Sequence, residues 1–417
     1  MNRSPELRQV PILHRCRDML LALLVSVPWG LLAVAPLPVM AQSKAPVLIG
    51  LDGEFGHATS SSAEAIKQGI LIAIEEINQR GGVLGGRPLA LVERANNTVP
   101  ARSIANIRQL AAMPDLVAVY CGRFSPTVLE SIPVVHEIGI PLLDPWAAAD
   151  AIVDNGRKPN YVFRLSLRDS WAAPAMLDYL ARKKVRRVGL MMLNTSWGRS
   201  TKKAAEAHVT KRPGMSLVDT QWINWDDKED SMRIKYRTLR ERGAEAILIT
   251  ANAEEAAVLA RVMLRLPASE RLPVASHWGV AGGDLPKLVG PDFFELDFAV
   301  VQTYTFIGAR RPAAARVIAA HERMFGSKGA RSIDSAVGVA HAYDLTHLLA
   351  MAIEKAGSTD RQAIRSALEK LGPYEGLVRH YARAFTAQRH DALAFENVFM
   401  TRYAPSDGVL ERISAGR

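Results

Sequence analysis

Cysteine is almost absent from this chain: Cys16 and Cys121 are the two in 417 residues. If Cys16 leaves with an N-terminal leader, a single thiol remains, which excludes an intramolecular disulfide and any all-cysteine metal site. Nucleotide signatures are missing as well. The first loop spaces its glycines as Gly50, Gly53 and Gly56, which is not G-x-G-x-x-G, and no G-x-x-x-x-G-K-[ST] occurs. Hydrolytic patterns fail in the same way: Ser125 lies in GRFSPT rather than G-x-S-x-G, and His136-Glu137 has no second histidine to complete H-E-x-x-H. His341, Asp344 and His347 fan across their helix too widely to hold a metal without outside help. No catalytic residue, no metal and no cofactor is therefore expected. The basic excess, 52 Lys+Arg against 42 Asp+Glu, is scattered without interleaved aromatics, so it reads as solvated surface and not as a nucleic-acid face.

What is present begins with a leader. Arg8, Arg15 and Arg17 precede the apolar run MLLALLVSVPWGLLAVAPL, and PVMA/QS closes it, with Val39 and Ala41 before the cut. That is the layout of a secretory signal peptide over residues 1–41. The competing reading is a membrane anchor, because residues 19–40 are long enough to span a bilayer. Pro28, Pro36 and Pro38 interrupt that run. No later run approaches its length, so a soluble periplasmic chain without stable membrane insertion is expected.

From Val47 onward, short apolar runs alternate with longer helical ones, the pattern of a parallel sheet covered by helices on both faces. VLIGL, PLALVER, LVAVYCG, PLLDP, YVFRLS, RVGLMML, SLVDTQWI, AILITA, LPVASH and FAVVQTY read as strands. Residues 63–80 read as a helix, with Ile66, Ile70, Ile74 and Ile77 on one apolar face and Arg80-Gly81-Gly82 as its stop. Organisation breaks near residues 161–169 and again near 298–306, after which long helices over 312–325, 334–356 and 360–370 dominate. The fold class is α/β, two doubly wound parallel-sheet lobes joined by a three-strand hinge. Lobe 1 is expected to take residues 42–163 and 304–372, and lobe 2 residues 164–303 and 373–417, with a ligand site between them.

Ligands of open α/β sheets sit beyond the carboxyl ends of the strands. Three loops qualify in the first lobe: LDGEFGHATSSS, CGRFSPT and DPWAAAD. Each leads into a helix start, where free N–H groups favour an anion, and Ser125 is placed as an N-cap ahead of Pro126. Aromatics gather at such positions: Phe55, Phe124, Trp146, Trp171, Trp197, Trp278, Tyr304 and Phe306. Converging on one face, they would wall in an apolar or planar ligand. With Ser125, Ala148, Asp169 and Asn252, all of these except Phe306 are the candidate ligand-binding residues.

The segments AIKQGILIAIEEINQRGGVLGGRPLALV, CGRFSPTVLESIPVVHEIGIPLL, FRLSLRDSWA and TSWGRS together resemble the periplasmic solute-binding proteins of branched-chain amino acid ABC transporters, the type I periplasmic binding fold. The resemblance implies a monomeric two-lobed clamp that closes on a small ligand and hands it to a membrane permease; the alternative is delivery to a receptor or sensor kinase. It implies that Ser125 holds the ligand carboxylate, that Trp197 occupies a position often taken by tyrosine, and that Asp169, Ser170 and Trp171 open the second lobe. Two departures stand out. The family's amino-acid binders carry a hydroxyl where this chain has Trp146-Ala147-Ala148, and a carboxylate against the ligand ammonium where HWGVAGGD offers Val280 and Ala281. Asp52, Glu54 and Asp284 are the substitutes within reach of sequence reasoning. A ligand other than a standard α-amino acid, such as an aromatic or other small carboxylate or an amide, is expected.

Overall fold

A computed structural model describes residues 44–56 and 60–414; the leader, with its cleavage site, lies outside the described residues. The first sheet contains β1 (Val47–Gly53), β2 (Leu89–Ala95), β3 (Leu116–Cys121), β4 (Leu142–Asp144) and β5 (Val162–Arg164). All five run parallel in the order β2-β1-β3-β4-β5. Around it lie α1 (Ser62–Gln79), α2 (Pro100–Ala111) and α3 (Ser125–Ile138). The second unit alternates α4 (Asp169–Arg182), β6 (Arg187–Leu193), α5 (Ser196–Val209), β7 (Ser216–Ile223), α6 (Glu229–Glu241), β8 (Ala246–Thr250), α7 (Ala253–Leu264), β9 (Val274–Ser276), α8 (Leu285–Val289) and β10 (Phe298–Gln302). Each of the ten runs read as strands from the sequence thus contains a strand.

The chain then returns to the first sheet with α9 (Pro312–Phe325), α10 (Ala336–Ala356) and α11 (Arg361–Leu368). Ile66, Ile70, Ile74 and Ile77 of α1 are all buried, and α1 packs along α10. Burying each such isoleucine stabilises the fold by roughly 1.5–3 kcal/mol. Length and a hydropathy of 1.3 make α10 apolar enough to cross a membrane, yet it is buried as a core helix of this lobe. Its polar residues are used internally. His341 meets Thr303 and the Pro145 carbonyl, Asp344 accepts from Leu377 N and Val378 N, and His347 faces Glu76, so the three do not converge.

The tail departs from the sequence expectation. Residues from β11 (Tyr374–Glu375) through β12 (His380–Tyr381) to Ala392 do not join the second lobe. β11 and β12 pair with each other, and Arg164 N donates to His390 O and Ala392 N to Arg164 O, both at 2.8 Å, which lays residues 390–392 along β5. Buried Arg164 pairs with Asp391 (Nε–Oδ1 2.6 Å), and Arg168 reaches the same carboxylate at 2.9 Å. Only β13 (Phe399–Tyr403) and β14 (Leu410–Arg412) join the second sheet, whose order is β14-β13-β10-β9-β8-β6-β7. Both pair antiparallel, so this sheet is parallel only from β10 to β7. The chain crosses between the sheets after β5, after β10 and before β13.

Candidate ligand-binding site

The loop after β3 supplies the centre of the site. Gly122, Arg123 and Phe124 leave the strand, and α3 starts at Ser125 with Pro126 in its first turn. Ser125 is not the N-cap expected from sequence; Phe124 holds that place, and Ser125 is the first helical residue. Its Oγ is drawn away from its own helix. It accepts from Ala148 N at 3.2 Å and Ala149 N at 3.3 Å, tying the loop after β3 to the loop after β4. Asp144 at the end of β4 shapes that second loop, because its Oδ1 accepts from Trp146 N and Ala147 N. Burial pushes the Asp144 carboxyl up to about 7, against the pull of Arg164.

Arg123 is 6% exposed. Its guanidinium lies on the Phe124 ring, 4.7 Å from the centroid, and its Nε stands 3.8 Å from Glu54. Neither Nε nor Nη1 has a hydrogen-bond partner among the described residues. A Cβ on Gly282 of the opposite lobe would come within 2.1 Å of Nη1, so glycine at 282 is what lets the guanidinium reach across. Burial holds the Arg123 pKa below its usual value, with Glu54, Glu254 and Glu255 opposing.

Three tryptophans enclose the space beside Arg123. Trp146 and Trp278 are buried and face one another from opposite lobes, ring centroids 5.6 Å apart. Trp197 meets the His277 ring edge-on at 4.9 Å, and its Nε1 has no partner. Gly279 permits this packing: a Cβ there would lie 2.5 Å from the Trp197 ring. Phe124, Ser125, Trp146, Ala148, Trp197, Asn252 and Trp278 line, with Arg123, one cavity of about 10 Å³, room for roughly one water. Among the described residues, Arg123 is the only charged one in that lining, and no carboxylate enters it.

Other sequence candidates lie elsewhere. Phe55 packs against Gly53 with Lys67 over its ring, Trp171 lies under the Arg168 guanidinium, and Tyr304 meets Phe306 in a separate cleft. Asp169 is fully buried behind the tryptophans. Its Oδ1 lies 3.0 Å from His277 Nε2 and 3.1 Å from Thr201 Oγ1. Because His277 Nδ1 accepts the Trp278 N–H, Nε2 carries the proton and donates to Asp169. Asp169 therefore holds the Trp278 loop through His277 instead of facing the cavity. The three serines of the opening loop are also consumed: Ser62 donates to Glu54, Ser60 meets Ser62, and Ser61 meets Ser335. Asp52 is bound by Asn96, Ser103 and Asn106, and Asp284 caps α8, so neither enters the cavity. Sequence reasoning missed Arg123. The available signal was a lone base between Cys121 and Ser125, at the carboxyl end of a strand.

The lobes touch around this cavity. Ser61 N donates to Gly282 O at 2.9 Å, Ser335 Oγ to Ala281 O at 2.9 Å, and Asp150 N to Ser200 Oγ at 3.2 Å. Phe124 also meets Trp225 of the second lobe at 5.5 Å. Two sheets crossed three times, with a site between the strand ends, match a known family: the model for periplasmic binding proteins fits residues 44–408. The chain belongs to the periplasmic binding protein family. An amino acid binding protein of Pseudomonas aeruginosa is 26% identical over 56% of this chain and 62% of its own length, so the chain spans less than two thirds of that relative. Leu/Ile/Val-binding protein homolog 3 of Brucella melitensis is 23% identical, covering 79% of this chain and 85% of its own. A type 1 periplasmic binding protein from Bordetella pertussis superposes with a TM-score of 0.79 at 25% identity, over 88% of this chain and all of that one. An R. palustris solute-binding protein in complex with 4-hydroxybenzoate shares the fold at a TM-score of 0.73 and 17% identity, covering 88% and 96%. Members of this family are periplasmic substrate-binding proteins and not enzymes.

Proposed function

We propose that this periplasmic binding protein captures a small planar carboxylate without an α-ammonium group, an aromatic acid being the best fit, and delivers it to an ABC permease. The observation that carries the reading is the donor set of the cavity. Arg123 Nε and Nη1 and Trp197 Nε1 are buried donors without a hydrogen-bond acceptor among the described residues; Glu54 stands 3.8 Å from Nε as an ion-pair partner, but no described acid lines the cavity itself. A buried donor left unpaired costs about 1–3 kcal/mol, and more when charged, so these groups are best explained by a ligand that brings its own oxygens. An α-amino acid would bury its ammonium with nothing to pair it, at a cost of several kcal/mol. Trp146 and Trp278 both line the cavity and pack on one another at 5.6 Å, so a flat ring would stack against them once they part. The 4-hydroxybenzoate complex of the R. palustris protein shows that this fold accommodates such a ligand.

The site cannot be entered as it stands. A cavity of about 10 Å³ admits one water, so the contacts at Ser61, Ser335 and Asp150 must part and re-form around the ligand. Ligand binding then favours the closed arrangement by its differential affinity for it. In this reading the leader exports a monomer, and the closed form is what the permease meets.

The test is a fluorescence titration of the purified protein with benzoate, following the tryptophans around the cavity. Saturable quenching or enhancement is expected, reduced about a hundredfold in Arg123→Met. Equal affinity in the variant would remove Arg123 from the site.

A further inference from the structure

One tryptophan stands outside the ligand cavity. Trp225 follows β7 in the second lobe and is 43% exposed, although Trp146, Trp197 and Trp278 are all buried. A lone exposed aromatic on a loose loop would need no explanation. This loop is tightly held. Asn224 N donates to Asp227 Oδ2 at 2.9 Å, Asp227 N donates back to Asn224 O at 3.2 Å, and Ser231 Oγ and the Lys235 ammonium of α6 hold the same Asp227 carboxylate. The turn is also tied to the cavity wall. Asn194 N donates to Ile223 O at 2.8 Å and Asn194 Nδ2 to Asn224 Oδ1 at 3.2 Å, directly before Thr195, which lines the cavity.

So fixed, the Trp225 ring is presented to the first lobe. Its aromatic neighbour there is Phe124, with ring centroids 5.5 Å apart and planes inclined at 47°, within the range in which aromatic pairs attract. Phe124 in turn carries the Arg123 guanidinium, 4.7 Å from its centroid. Phe124 lines the cavity and Trp225 does not. A chain of contacts thus runs from the rim of the second lobe through Phe124 to Arg123. The link between Arg123 and Phe124 lies within one loop of the first lobe and survives when the lobes part. The link between Phe124 and Trp225 crosses from lobe to lobe, so it exists only when they meet.

We infer that Trp225 is a positioning residue of the ligand site: without touching the ligand, it seats on Phe124 when the lobes meet, holds Phe124 and Arg123 against the cavity and slows ligand release. The role rests on the proposal above that the cavity beside Arg123 holds the ligand, but not on the ligand's class. The ligand enters while the lobes are apart and this contact is unmade. Loss of the contact therefore raises the dissociation rate and leaves the association rate alone.

Stopped-flow measurement of benzoate and of leucine on the purified parent, Trp225→Ala and Trp225→Phe tests this. Whichever compound binds should leave Trp225→Ala about fivefold faster, the worth of one aromatic pair, at an unchanged association rate. Trp225→Phe should restore most of the retention. In Phe124→Leu, which has no ring for Trp225 to meet, adding Trp225→Ala should change the dissociation rate little. Binding of leucine but not benzoate would remove the aromatic-acid proposal and leave this test intact. Unchanged dissociation in Trp225→Ala, a loss carried by slower association, or a full Trp225→Ala effect in the Phe124→Leu background would overturn the inference. If neither compound binds the parent, small-angle X-ray scattering of the ligand-free proteins decides. A parent as compact as the structure that widens in Trp225→Ala supports the role of Trp225, whereas an open parent or an unchanged variant overturns it.

Discussion

Two cavities lie between the same two lobes and are built on opposite rules. The one beside Arg123 measures about 10 Å³ and is lined by that cation and three tryptophans, with no acid among the described residues of its lining. The one at the hinge keeps about 580 Å³, and acids outnumber bases in its lining. The chemistry of each space differs accordingly: beside Arg123, Nε and Nη1 lack a hydrogen-bond acceptor even with Glu54 3.8 Å away, so ligand oxygens would complete them, whereas the hinge cleft offers carboxylates and apolar walls.

The sharpest way to break this contrast is Arg123→Met. Removing charge-assisted bonds costs about 1.5–3 kcal/mol, so benzoate affinity should fall about a hundredfold in calorimetry. Gly282→Val comes next. Its side chain would occupy the position of Arg123 Nη1, so the guanidinium must move or the lobes must stay apart. Benzoate affinity is expected to fall at least tenfold with thermal stability little changed, because Gly282 belongs to the lobe contact and not to either core.

Much of this architecture was readable beforehand. Ile66, Ile70, Ile74 and Ile77 announced α1 because a helix that packs on a sheet must repeat its apolar residues at three- and four-residue steps. The aromatics at Phe124, Trp146, Trp197 and Trp278 were legible as cavity walls because strand ends face the site. Arg123 was not, since a base in a loop is usually solvated and only the third dimension shows it covered by Phe124 and Gly282. Asp169 was misread for a related reason: sequence places it at a loop, but its burial against His277 and Thr201 depends on elements far along the chain. The run from Tyr374 to Ala392 carries no periodicity, so the pairing of its last residues, 390–392, with β5 had no signal.

Ser125→Ala sharpens the carboxylate side of the comparison more gently. It leaves Ala148 N and Ala149 N without their acceptor, and a loss of about 1–2 kcal/mol in stability is expected, with benzoate affinity down several-fold. Denaturant midpoints and titrations on the same preparation separate the two effects.

The smallest effect concerns pH. Burial and then the charge of Glu254 push the Glu255 carboxyl up to about 7 from 4.5, against Arg123. The fold prefers this group protonated, so its contribution is complete below pH 4.5 and is lost as pH rises through about 7. Glu255→Gln keeps an oxygen for Asn252 N and cannot ionise. The melting temperature of the variant should therefore fall less between pH 5 and pH 8 than that of the parent, as differential scanning calorimetry would show.

The central question is which ligand class the tryptophan-lined cavity takes. Calorimetric titration of one preparation with 4-hydroxybenzoate and with leucine decides it directly. Saturable binding of 4-hydroxybenzoate with no measurable heat from leucine is the predicted result. Tight leucine binding would show that an acid reaches the ligand ammonium on closure and that the unpaired donors of Arg123 and Trp197 were misread.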